Sequence, residues 1–216
     1  MDQFFTTRMP GLRFLRNVLM FSVAGLLPVL IVYVLLTPGF AAALGKGGAN
    51  LSRFVRQVLT NGLPVVFVVN YIGFFIYALS REPGRTQRDP AWFIAVDVVL
   101  RVSVFFALHA VIYVLSADWF GSFGGSRATA LSVVAPTLAR SAMFENISGV
   151  YLYATLVSAV PLYVSLAGRS TALRPVLTPL PTRSGPLVVA VIAFVAGVAL
   201  LTVLARAVVW LQSLPT

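Results

Sequence analysis

Apolar and polar positions alternate along this chain on the scale of whole helices rather than single turns. Five blocks are almost free of polar side chains: 17–36, 63–79, 92–115, 150–166 and 187–209. At 1.5 Å per residue, each is long enough, or nearly so, to cross a hydrocarbon core of about 30 Å. The blocks predict an all-α, polytopic integral membrane protein of about five transmembrane helices, folded as one domain over residues 1–216. No internal repeat is evident, which speaks against an inverted-repeat transporter.

Two stretches between the blocks have a different period. In 51–59, Leu51, Phe54, Val55, Val58 and Leu59 share one helical face, while Ser52, Arg53, Arg56 and Gln57 take the other. That pattern predicts an amphipathic helix in the headgroup plane, with Arg53 and Arg56 against lipid. Residues 127–143 have a weaker version, interrupted at Pro136, and are expected to form a second interfacial helix. Four prolines in 169–186 mark an irregular connector.

Composition agrees with the block pattern. Of 216 residues, 59% are hydrophobic and 10% charged, against about 25% charged in soluble domains. This excludes a soluble enzyme and a disordered tail. The start, with Arg8, Arg13 and Arg16 before an apolar run and Ala41–Ala43 after it, resembles a signal peptide. The run exceeds a signal's usual apolar core of about 7–15 residues, so it reads as the first membrane helix.

The net charge is +10. The arginines are scattered between apolar blocks, which suits anionic lipid headgroups and not nucleic acid. With five spans, Arg8, Arg13, Arg16, Arg81, Arg85, Arg88, Arg169, Arg174 and Arg183 lie on one side. Lys46, Arg53, Arg56, Arg127, Arg140 and Arg206 lie on the other. The larger first set predicts a cytoplasmic N-terminus and a periplasmic C-terminus in a bacterial inner membrane. Trp92 and Trp119 bracket the third block, about 40 Å apart along a helix, as an aromatic belt would.

Candidate chemistry is sparse. The chain has no cysteine, no HExxH, no GxSxG, no P-loop and a single histidine. The acid pairs Glu82/Asp89 and Asp118/Glu145 have no base or ligand set beside them, so no catalytic or metal residues are expected. The third block alone holds a polar cluster. Asp97 and Arg101 are four apart and share a helical face, so they are expected to pair. Counted from Trp92, Arg101 lies near enough to the interface to snorkel toward it. The same two residues are offered to a partner subunit or a lipid phosphate, and to an ion pathway. His109 is a candidate axial ligand for haem or bacteriochlorophyll. Asn70 is expected to hydrogen-bond between helices. Ala193 and Gly197 form a small-x-x-x-small pair for close helix packing.

The expected function is a non-catalytic accessory or assembly subunit of a larger membrane complex. The alternatives are a small homo-oligomeric transporter or channel using Asp97 and Arg101, and a pigment- or haem-associated protein through His109.

Overall fold

The computed structural model describes residues 1–81, 90–121, 136–171 and 173, with 116–121 as helical backbone. The described residues are helical, without strands. Helix α1 spans Gly11–Leu36 and stops at Thr37, whose backbone is extended. Pro38 follows, and proline disfavours the helical conformation in the residue before it. A short α2, Phe40–Gly45, is entered through Gly39 in the left-handed region (φ 72°). Gly47 and Gly48, also left-handed, reverse the chain into α3, Gly48–Gln57.

The amphipathic stretch is helical, but no break separates it from the second span. A π turn, Val58–Gly62, carries α3 directly into α4, Leu63–Ser80. Pro64 explains where the helix widens. It has no N–H for the carbonyl one turn back, and its ring crowds that carbonyl. The wider turn passes it without ending the helix. On α3, Phe54 packs inward against Phe40, while Arg53 and Arg56 are exposed.

Helix α5, Pro90–Gly121, starts on a proline and carries both Trp92 and the backbone of Trp119. Residues 136–142 form α6, with Pro136 at its start. Helix α7, Ile147–Ala167, is capped by Asn146, whose side-chain oxygen accepts from the Gly149 amide at 3.1 Å. The same oxygen accepts from Ser141 at 3.0 Å, and the Asn146 amide donates to the Thr137 carbonyl at 3.1 Å. One asparagine thus fastens α6 to the start of α7.

Among the described residues, four helices are long and apolar enough to cross a membrane: Gly11–Leu36, Gly48–Ser80, Pro90–Leu115 and Ile147–Ala167. A polytopic membrane protein fits this architecture. The fifth block, 187–209, with Ala193 and Gly197, lies outside the described residues, as do 127–135 of the second interfacial stretch.

The four helices pack as a diamond. Helices α4 and α7 touch each other and both flanking helices, while α1 and α5 each pack against that central pair. Half of the apolar stretch of α4 and of α7 is buried, against 28% for α1 and 17% for α5. Gly25 lets α1 approach α7 closely. A Cβ there would fall 2.7 Å from the Ser158 amide nitrogen and 2.8 Å from the Ala154 carbonyl, both α7 backbone. The interior has two apolar clusters. One, toward α3 and α6, is built on Leu26, Val66, Val69, Phe105 and Tyr151. The other is aromatic: Phe5, Phe14, Phe74 and Tyr77 with Val18, Leu162 and Leu166. It lies at the end formed by the starts of α1 and α5 and the ends of α4 and α7, here the N-terminal end.

Candidate functional site: a buried ion pair between four helices

Between the two apolar clusters lies a polar layer. Asp97 and Arg101 project from α5, one helical turn apart, as their spacing predicts. Arg101 Nε donates to Asp97 Oδ2 at 2.7 Å, and both side chains are fully enclosed. Arg101 lies about 16 Å along α5 from Pro90, near mid-bundle. Its guanidinium does not snorkel toward the surface. It turns between α4 and α7, where Nη1 donates to Asn70 Oδ1 at 2.5 Å and to the Thr155 carbonyl at 3.4 Å.

Each neighbour has a reason to be there. Asn70 sits mid-α4, and its amide nitrogen donates onward to Ser22 Oγ of α1 at 2.9 Å. Tyr163 of α7 donates its hydroxyl to Asp97 Oδ2 at 2.7 Å. Gly73 of α4 makes room, since a Cβ there would run into the guanidinium. Phe74 offers its ring face to Arg101, with Cζ 4.7 Å from the centroid, a cation–π contact. The chain Tyr163, Asp97, Arg101, Asn70, Ser22 therefore ties α5 to α1 through the central pair. Two atoms of the ion pair, Asp97 Oδ1 and Arg101 Nη2, are buried without a hydrogen-bond partner. A third such atom, the Tyr151 hydroxyl, lies toward the other end.

The N-terminal arm, residues 1–9, was no candidate in the sequence, yet it is built into the site. Phe5 is 1% exposed. It lies flat on Phe74, with centroids 4.0 Å apart and planes within 5°. Phe74 thus packs against both Phe5 and the guanidinium. The arm is held by polar contacts. Asn17 donates to the Phe4 carbonyl at 2.9 Å. Asp2 accepts from the Tyr77 hydroxyl and from Arg169 Nη1, the latter at 2.9 Å, with Arg81 Nε at 3.8 Å. Burial pushes the Asp2 carboxyl up. The Tyr77 and Arg169 hydrogen bonds and the charges of Arg169 and Arg81 outweigh this and hold it below its ordinary 3.8.

The remaining candidates stand apart from the ion pair. His109 is buried on α5, its ring 4.0 Å from that of Phe105, with Nδ1 3.1 Å from the Phe105 carbonyl of its own helix. Among the described residues, no group of three His, Cys, Asp or Glu converges as a metal site would. Arg53 and Arg56 are exposed on α3, away from the buried layer. Glu82 and Asp89 lie outside the described residues. The glycines at 25, 62 and 73 were the sequence signals left unread. An isolated glycine inside an apolar helix weakens it and so points to a close approach. Gly62 packs against the Tyr151 ring, as Gly25 does on α7 backbone and Gly73 on Arg101. No family model matches the chain, and no curated protein or solved structure matches it.

Proposed function

We propose that the chain is a non-catalytic accessory or assembly subunit of a larger membrane complex. It crosses a bacterial inner membrane five times, N-terminus in the cytoplasm and C-terminus in the periplasm, counting 187–209 as the fifth span. One observation carries this proposal. Most buried polar side chains of the described spans find partners inside the bundle, while the flanking helices turn large apolar side chains outward. Leu19, Leu27 and Ile31 of α1 are 43%, 55% and 59% exposed, and Val99, Val111 and Leu115 of α5 are 65%, 55% and 64% exposed. Such flanks suit lipid and the helices of other subunits. Exposed Arg53 and Arg56 suit anionic headgroups. Extraction in a mild detergent followed by mass spectrometry tests the proposal. Co-purification of other polypeptides in a fixed ratio is expected, and recovery of this chain alone as a stable monomer or homo-oligomer overturns it.

A second reading, a small homo-oligomeric transporter, has one observation in its favour. Ionisable groups near a bilayer midplane mark ion pathways elsewhere, and Asp97 and Arg101 each keep a buried polar atom unpaired. On that reading, reconstituted protein moves a solute and Asp97→Asn changes the flux. Absence of flux across a broad solute panel discards it.

A further inference from the structure

We propose that residues 1–9 are a releasable seal over the N-terminal end of the Asp97–Arg101 site, with Asp2 as its latch. The proposal rests on the chain being a membrane bundle, but it is tested separately from subunit or transporter function.

The two parts of the arm differ in how they are held. Its body is apolar and deep. Phe5 is 1% exposed and meets Phe14, Phe21 and Phe74 at centroid distances of 5.6, 5.2 and 4.0 Å. Its fastening is polar and shallow. The Asp2 side chain is 53% exposed, and Arg169 and Arg81 beside it are 40% and 26% exposed. Water competes for those contacts, so they are the part that yields first. Behind Phe5 stands Phe74, whose ring also packs against the guanidinium.

The closed and open arrangements each satisfy what the other leaves wanting. Closed, the arm buries Phe5 on Phe74, and Phe74 in turn packs on the guanidinium of a pair whose Asp97 Oδ1 and Arg101 Nη2 have no partner. Open, Phe74 loses its cover and water gains a route past it toward those two atoms, while Phe5 loses its apolar surroundings. Opposed preferences of this kind make an element with two states, and a contact that favours one of them sets the balance. Asp2 supplies that contact. It joins the arm to α4 through Tyr77 and to Arg169 just after α7.

The chain has no cysteine, so one introduced thiol reports water access. Ser22→Cys is close to isosteric and places the thiol in the buried polar layer, beside Asn70. The full chain in detergent is treated with a small charged thiol reagent, with Arg8→Cys as the surface reference. In the otherwise unaltered chain, labelling at position 22 is expected to be slow. Asp2→Asn, and separately Arg169→Gln, is expected to raise its rate about two- to fivefold, the change that losing a half-exposed ion pair makes in a local opening equilibrium. The Arg8→Cys rate stays the same. Val18→Cys, fully buried one turn closer to the arm, repeats the measurement if Ser22→Cys disturbs the Asn70 bond.

Three results overturn the seal. The rate at both buried positions is unmoved by both latch variants. Or position 22 already reacts as fast as the Arg8→Cys reference. Or Val66→Cys, in the other apolar cluster, speeds up equally, which means general loosening. Recovery of the folded chain in buffer without detergent refutes the membrane bundle itself, whatever the labelling rates.

Discussion

Two aspartates in this protein have the same kind of partners in opposite settings. Asp2 accepts from the Tyr77 hydroxyl and from Arg169, and Asp97 accepts from the Tyr163 hydroxyl and from Arg101. Asp2 is half exposed at one end of the bundle, whereas Asp97 is enclosed near its middle. At the end, water can replace each partner, so the contact is weak and reversible. In the middle nothing replaces them, and neither member of the ion pair can leave without stranding the other's charge. The same donor and acceptor types make a fastening in one place and a fixed tie in the other. Their surroundings decide which.

Several substitutions probe that contrast. The largest effect is expected from Arg101→Leu, which leaves the Asp97 carboxylate buried with no cation. Removing one partner of a buried pair costs about 3–5 kcal/mol, read as unfolding free energy in mixed micelles. Replacing both residues with leucine restores most of that loss. A cost for Arg101→Leu no larger than that of Asp2→Asn would erase the contrast.

Gly73→Ala comes next, because the added Cβ meets the guanidinium and overpacking of this kind costs about 1–3 kcal/mol. In an Arg101→Leu background that cost should shrink, and the coupling measures how much room the arginine takes. Asp2→Asn is expected to cost only about 0.2–1 kcal/mol, as an exposed pair does. Acid gives the smallest and most specific effect. The Asp2 carboxyl is held below its ordinary 3.8. Its contribution is therefore complete above pH 3.8 and is lost as pH falls through the lowered value. Hydrogen exchange of the arm amides should rise over that range in the parent chain and show no such rise in Asp2→Asn.

Much of the architecture was legible because a long apolar block has few options other than a membrane helix. The blocks at 17–36, 63–79, 92–115 and 150–166 each fall within a candidate span. The amphipathic stretch 51–59 and the block 63–79 read as separate elements in the sequence, yet the helix runs on through Val58–Gly62, and the Tyr151 ring packs against it at Gly62. The Asp97–Arg101 pair was legible because four residues make one turn of a helix. The direction of the Arg101 side chain was not. Measured from Trp92 the arginine looks shallow and free to snorkel, but Gly73, Asn70 and the Thr155 carbonyl draw it inward. The interhelical bond expected of Asn70 goes to Ser22, 48 residues away in sequence.

By itself, the sequence determined what depends on solvent and on local repeat. Apolar side chains in runs of helical length dictate membrane-type helices, and a four-residue spacing dictates which side chains on one helix can meet. The tertiary structure decided everything that crosses between helices: the diamond order, the alignment of Ser22, Asn70, Arg101 and Tyr163 in one layer, and the return of Phe5 onto Phe74. Those choices turn on where one helix comes close enough to another. That depends on a missing Cβ at Gly25, Gly62 and Gly73 and on the shape of the ring or backbone opposite, neither of which has a period along the chain.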